Sequence, residues 1–138
     1  MIIKSEQEMI DFGMNFAKEL VRPQSLATII ELIGDVGSGK TTFTRGLATG
    51  LGVIDPITSP SFTISKSYAL RNGGNLIHYD FYRLPDPGLM SDDLYENLQN
   101  PKNIIVLEWS NSVANILPKE HITVTITYTP DNFREVTI

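Results

Sequence analysis

The ten residues GDVGSGKTTF, Gly34–Phe43, decide the reading of this chain. Gly34, Gly39, Lys40 and Thr41 fill every fixed position of the pattern G-x-x-x-x-G-K-[ST], the phosphate-binding loop of nucleoside triphosphatases. Glycines let the backbone curl until successive N–H groups face one concavity, and a helix opening at Lys40 adds the positive end of its dipole. Lys40 is expected to reach the β and γ phosphates, and the Thr41 hydroxyl to bind Mg²⁺. The remaining loop positions, Asp35, Val36, Gly37, Ser38 and Thr42, complete the expected nucleotide-binding segment. A glycine-rich turn with a purely structural role needs no lysine.

The flanks agree with the motif. SLATIIELIG, Ser25–Gly34, is a β-branched run of the kind found in a strand buried on both faces. TTFTRGLATGLG then reads as a helix with Phe43 and Leu47 inward and Gly52 past its end. Upstream, Ser5 and Glu8 have capping-box spacing, and Met9, Phe12, Phe16 and Leu20 recur as a helical core stripe that ends before Pro23.

Downstream, SFTISKSYAL and NLIHYDFYRL flank the turn sequence RNGGN and predict an antiparallel pair. PDPG interrupts the chain, Ser91 is expected to cap a helix through Leu98, and IIVLEW, Ile104–Trp109, is an apolar strand. A short helix after Ser110, ending near Pro118, leads to HITVTITYT and REVTI, read as a terminal hairpin. The expected fold is α/β: one three-layer phosphate-loop domain over residues 1–138, with a mixed sheet whose parallel centre carries antiparallel hairpin additions.

Composition narrows the function. With 138 residues, 41% hydrophobic and 20% charged, the chain suits one globular core. Eleven Lys and Arg stand against 16 Asp and Glu with no basic run, which argues against unaided nucleic-acid binding. Cysteine is absent, so disulfides and thiolate metal sites are excluded. Neither a signal-peptide core nor a membrane-length apolar run occurs, and a cytoplasmic location is the expectation.

A magnesium site needs an acid beside Thr41, and Glu108 ends the apolar strand where such an acid belongs. Asp80, in HYDFYRL, could orient the attacking water, act as base or complete the metal shell. Asp80, Lys40 and Glu108 are therefore the candidate catalytic residues, and Thr41 and Glu108 the candidate metal ligands. Trp109 is read either as core or as a stacking platform. His78 and His121 fall in alternating strands and read as structural. Arg45, a turn into the loop helix, is expected to face solvent or a partner, and neither it nor Arg83 reads as an arginine finger.

No N-K-x-D segment selects guanine, so ATP is the expected nucleotide. Kinases of this type add an arginine-bearing lid, whereas Arg134 is the single arginine after Glu108. Hydrolysis is thereby favoured over transfer, with a small-molecule kinase and an ATP-gated binding module as rivals.

Taken in order, GDVGSGKTTFTRGLATGLG, ITSPSFTISKSY, HYDFYRL and VLEWS resemble the TsaE family, small bacterial ATPases also called YjeE. The resemblance runs from about Ser5 to Tyr128. It implies a part in making threonylcarbamoyladenosine in tRNA, through ATP hydrolysis that acts on the TsaD and TsaB pair, with tRNA reached only through those partners. It also implies that Thr58–Phe62 is a switch-like segment near the γ phosphate, that Asp80 is the family's strand-end acid, and that Trp109 lies close to the nucleotide. Ser61 stands where the family usually has threonine, and DPGLMSDDLYENL departs from its acidic DPEEL pattern.

Overall fold

The computed structural model describes residues 1–22, 25–60, 64–71, 73–82, 86 and 88–138. Among them, seven strands form one sheet: β1 (Ile2–Ile3), β2 (Thr28–Ile33), β3 (Ser65–Ala69), β4 (Asn75–Asp80), β5 (Ile104–Glu108), β6 (Ile122–Tyr128) and β7 (Arg134–Thr137). Their order across the sheet is β1-β7-β6-β2-β5-β4-β3. The inner strands β6, β2, β5 and β4 run parallel, while β3 at one edge and β7 and β1 at the other are antiparallel. The mixed sheet with a parallel centre is as expected.

Helices cover both faces. On one, α1 (Glu6–Glu19) and α2 (Lys40–Gly50) bury Met9, Phe43 and Leu47 against Ile30, Leu32, Val106 and Val124. On the other, α3 (Leu89–Leu98) and a 3₁₀ helix (Ser110–Ile116) place Leu94, Leu98 and Val113 over Ile29, Ile105, Leu107 and Tyr79. Strand burial on both faces explains the apolar run Ile104–Leu107 of β5 and the largely apolar β2, in which Glu31 alone is charged. No helix among the described residues is long and apolar enough to cross a membrane.

Ser5 caps α1 as its spacing predicts, its side chain accepting from the Glu8 N–H. The start of α3 differs from expectation. Asp86 Oδ1 accepts the Gly88 N–H at 3.1 Å, and Gly88 turns the chain at φ 51°, so the helix opens at Leu89 with Ser91 already inside it. The terminal hairpin exists, but its first strand, β6, also pairs parallel with β2 and belongs to the centre of the sheet. Residues 61–63, which begin the predicted strand SFTISKSYAL, lie outside the described residues.

Candidate nucleotide site

Parallel strands align their carboxyl ends, and crevices just beyond those ends are where ligands of such sheets sit. Here Leu32 of β2 pairs with Glu108 of β5, which pairs in turn with Asp80 of β4. The chain leaves β2 two residues after Leu32 to form the phosphate loop. Gly37 (φ 82°) and Gly39 (φ 112°) adopt left-handed conformations that a side chain would oppose, and α2 starts at Lys40 as predicted. Gly37 and Gly39 thus suit the backbone conformation, while a Cβ on Gly34 would lie 2.7 Å from the Ile126 carbonyl oxygen.

Lys40 is buried. Its Nζ donates to the carbonyls of Gly34 and Asp35, lies 3.7 Å from Glu108 Oε1, and sits 4.8 Å from the centre of the Trp109 ring. Period-two alternation puts His78, Asp80 and Glu108 on the sheet face that carries α2. Glu108, 4% exposed, also takes His78 Nε2 at 2.5 Å on its other oxygen. A carboxylate only accepts, so the imidazole donates from Nε2, and its Nδ1 has no hydrogen-bond partner among the described residues. Asp80, also buried, accepts the Tyr82 N–H at 2.9 Å.

A cleft of about 240 Å³ unites these groups, lined by Gly39, Lys40, Thr41, Asp80, Glu108 and Trp109 among others. Thr41 with Glu108 and Asp80 forms a hard-oxygen donor set of the kind Mg²⁺ accepts, supplemented in nucleotide sites by phosphate and water. No cluster of three His, Cys, Asp or Glu that could hold a metal occurs among the described residues, and a magnesium site of this type needs none. Across the loop, a second cleft of about 400 Å³ shares Gly37, Gly39 and Thr42 with the first and is bounded by Ile3, Phe133 and Arg134.

The family model described as "Threonylcarbamoyl adenosine biosynthesis protein TsaE" matches residues 3–136. The chain belongs to the TsaE family. The "tRNA threonylcarbamoyladenosine biosynthesis protein TsaE" of Haemophilus influenzae is 36% identical over 130 residues, 94% of this chain and 82% of its own. A protein of the same name from Bacillus subtilis is 38% identical over 112 residues, 79% of this chain and 67% of its own. The crystal structure of Bacillus subtilis YdiB superposes with a TM-score of 0.70 at 32% identity, covering 99% of this chain and 80% of that one.

In this TsaE-family fold, Lys40, Thr41, Thr42, Asp80, Glu108 and Trp109 come together in one cleft with Val36, Gly37 and Gly39. Gly34 and Asp35 contribute carbonyls to Lys40, while Ser38 is buried under the loop. Trp109 packs partly buried against the core below α3 and also faces Lys40 and the Tyr82 ring. Arg45 pairs with Glu6 at 3.0 Å on the surface, away from the cleft. Arg83 and the end of the segment Thr58–Phe62 lie outside the described residues, but Ser59 lines the cleft.

His78 was not legible as a site residue from its type alone. The signal was positional: two residues before Asp80 on a strand, it shares that acid's face. Arg134 and Tyr82 carried no such signal, because only the folded sheet brings them near the loop.

Proposed function

We propose that this chain binds ATP with Mg²⁺ and hydrolyses it as a subunit of the tRNA threonylcarbamoyladenosine machinery, acting on the TsaD and TsaB pair without transferring the group itself. One observation carries the reading: a complete phosphate loop whose buried lysine meets the strand-end carboxylate of Glu108, with Asp80 in register on the adjacent strand and lining the same cleft. Family membership, shared with relatives named for that biosynthesis, supplies the pathway.

Lys40 holds the β and γ phosphates, exchanging the loop carbonyls it now contacts for phosphate oxygens. Thr41 and Glu108 would hold the metal, which when bound neutralises charge on the phosphate oxygens. His78 fixes the Glu108 carboxylate from behind. Asp80, held by the Tyr82 N–H, orients the attacking water, and Trp109 with Tyr82 walls the cleft against bulk solvent. The nucleoside extends along the loop into the second cleft, between Ile3 and Phe133. Among the described residues no arginine lines the acid cleft, so hydrolysis by the chain alone is slow and rises when the partners complete the site.

The test is ATP hydrolysis with and without TsaD and TsaB, beside Lys40→Ala and Glu108→Ala. Strong partner stimulation lost in both variants supports the proposal. Unchanged turnover with the partners present would sink it, and labelled γ phosphate found on an acceptor would replace it with a kinase.

A further inference from the structure

Peptide planarity couples the two sides of the phosphate loop. In a trans peptide the carbonyl of one residue and the N–H of the next point in opposite directions, so a group that holds a loop carbonyl also aims the following N–H. The carbonyls of Gly34 and Asp35 are held by Lys40, and that of Gly39 by the Phe43 N–H within α2. The carbonyls of Gly37 and Ser38 are held from outside, by a residue far away in sequence.

That residue is Arg134, at the start of β7. Its Nε donates to the Ser38 carbonyl at 3.1 Å and one terminal nitrogen to the Gly37 carbonyl at 3.4 Å. The other terminal nitrogen donates to the carbonyls of Asn132 at 3.1 Å and Phe133 at 3.4 Å, within its own hairpin. The guanidinium carbon lies 4.1 Å from the centre of the Tyr128 ring, on β6. Stacked on one strand and anchored to its turn, the planar fork has little freedom left and presents two donors to adjacent peptides.

We infer that Arg134 is a positioning residue for phosphate binding. By fixing the Ser38 carbonyl it directs the Gly39 N–H away from the guanidinium, and by fixing the Gly37 carbonyl it holds the left-handed turn that shapes the loop. The hairpin β6–β7 thereby acts as the outer clamp of the nucleotide site. This rests on the reading of the loop as a nucleotide site, and a plain staple between β7 and the loop is the competing role.

Arg134→Lys and Arg134→Gln in the full chain separate the two. Lysine keeps the charge but cannot span both carbonyls, so it should not rescue. The expected result is ADP binding weakened about tenfold in both variants, of the order of one charge-assisted hydrogen bond. Adenosine, which has no phosphate for the loop to hold, should bind within about twofold of wild type in an NMR titration.

Amide exchange at Gly37–Lys40 should quicken while exchange in β2 stays unchanged. Unchanged ADP affinity in a folded variant would overturn the inference, as would parallel losses for ADP and adenosine, which indicate a cleft wall. Were the wild type to bind no ADP, the proposed function would fall, and loop exchange in Arg134→Gln would still decide the positioning role. Should both variants misfold, Tyr128→Leu, which removes the stacking surface together with the hydroxyl beside Gly37, must weaken ADP more than Tyr128→Phe and leave adenosine alone, and an unaltered ADP affinity there overturns the inference.

Discussion

The Ser110 hydroxyl donates to the carboxylate of Glu31, tying the residue after Trp109 to the strand that feeds the phosphate loop. Glu31 stands on β2 among apolar neighbours, where an uncompensated carboxylate would be costly. Its other oxygen has the Thr123 hydroxyl at 3.4 Å and His121 Nε2 at 3.5 Å. Between the anchored Ser110 and the site acid Glu108, Trp109 is held at φ 55°, ψ 51°, a left-handed conformation that persists in a bulky residue only when its surroundings enforce it.

Breaking that tie should loosen the tryptophan. Ser110→Ala and Glu31→Ala are each expected to cost about 1–3 kcal/mol of stability, the range for stranding one partner of a hydrogen bond to a charged group. Trp109 is the only tryptophan, so acrylamide quenching of its fluorescence reads its exposure directly. Quenching should rise in both variants, whereas Glu31→Gln, which still offers an acceptor, should stay close to wild type. Unaltered quenching in Ser110→Ala would show that packing alone holds Trp109.

His78 acts through Glu108. Without the imidazole, the buried Oε2 loses its donor and the carboxylate can turn away from Lys40, while the phosphate loop itself is untouched. His78→Ala is therefore expected to lower kcat for ATP about tenfold with KM shifted less than about threefold, and His78→Gln to restore part of the loss. A change confined to KM would contradict the assignment.

The strand, loop and helix around Gly34 can be read directly, because a β-branched run, glycines at positive φ and a helix start follow one another within a short local stretch. Glu108 is a candidate in the sequence because an acid ends an apolar strand, and the fold puts its carboxylate 3.7 Å from Lys40 Nζ. Less local features are not legible in this way. Pairing of β6 with β2 depends on contacts between residues about 90 apart, and HITVTITYT alternates in the same way whether its neighbour is parallel or antiparallel. His78 reads as structural from its alternation, and only the strand pairing brings it to Glu108, as only the hairpin brings Arg134 against the loop.

Helix packing beneath the loop offers a separate test. A Cβ built on Gly46 would lie 2.2 Å from the Ile10 carbonyl oxygen, and one on Gly13 would lie 2.5 Å from that of Phe43. Helices α1 and α2 thus meet backbone to backbone, and neither atom can swing aside. Gly46→Ala gains helix propensity but forces the helices apart, so the net expectation is a loss of about 1–3 kcal/mol. Urea unfolding should show a lower midpoint with an unchanged slope, and a stabilised variant would mean that the interface can slide.

Tyr79 gives the protein a pH dependence on the face opposite the site. Its ring is fully buried, its hydroxyl donates to Asp93 Oδ2 at 2.6 Å, and Asn97 Nδ2 donates to that hydroxyl at 2.8 Å. Burial first, and then the bond to the Asp93 carboxylate, push the phenol well above its ordinary value near 10. Because the folded state holds this proton more tightly than the unfolded chain, the contribution is complete below pH 10 and is lost as pH climbs toward the folded value. Stability should therefore fall above about pH 10, with a slope from this group of at most about 1.4 kcal/mol per pH unit. Tyr79→Phe lacks that component, so its deficit against wild type, about 1 kcal/mol at neutral pH, should shrink in urea melts at pH 11. Phenolate absorbance should tell the same story: at pH 11 the Tyr79 signal is absent from the native protein and appears on unfolding, and a native Tyr79 phenolate at that pH would refute the assignment.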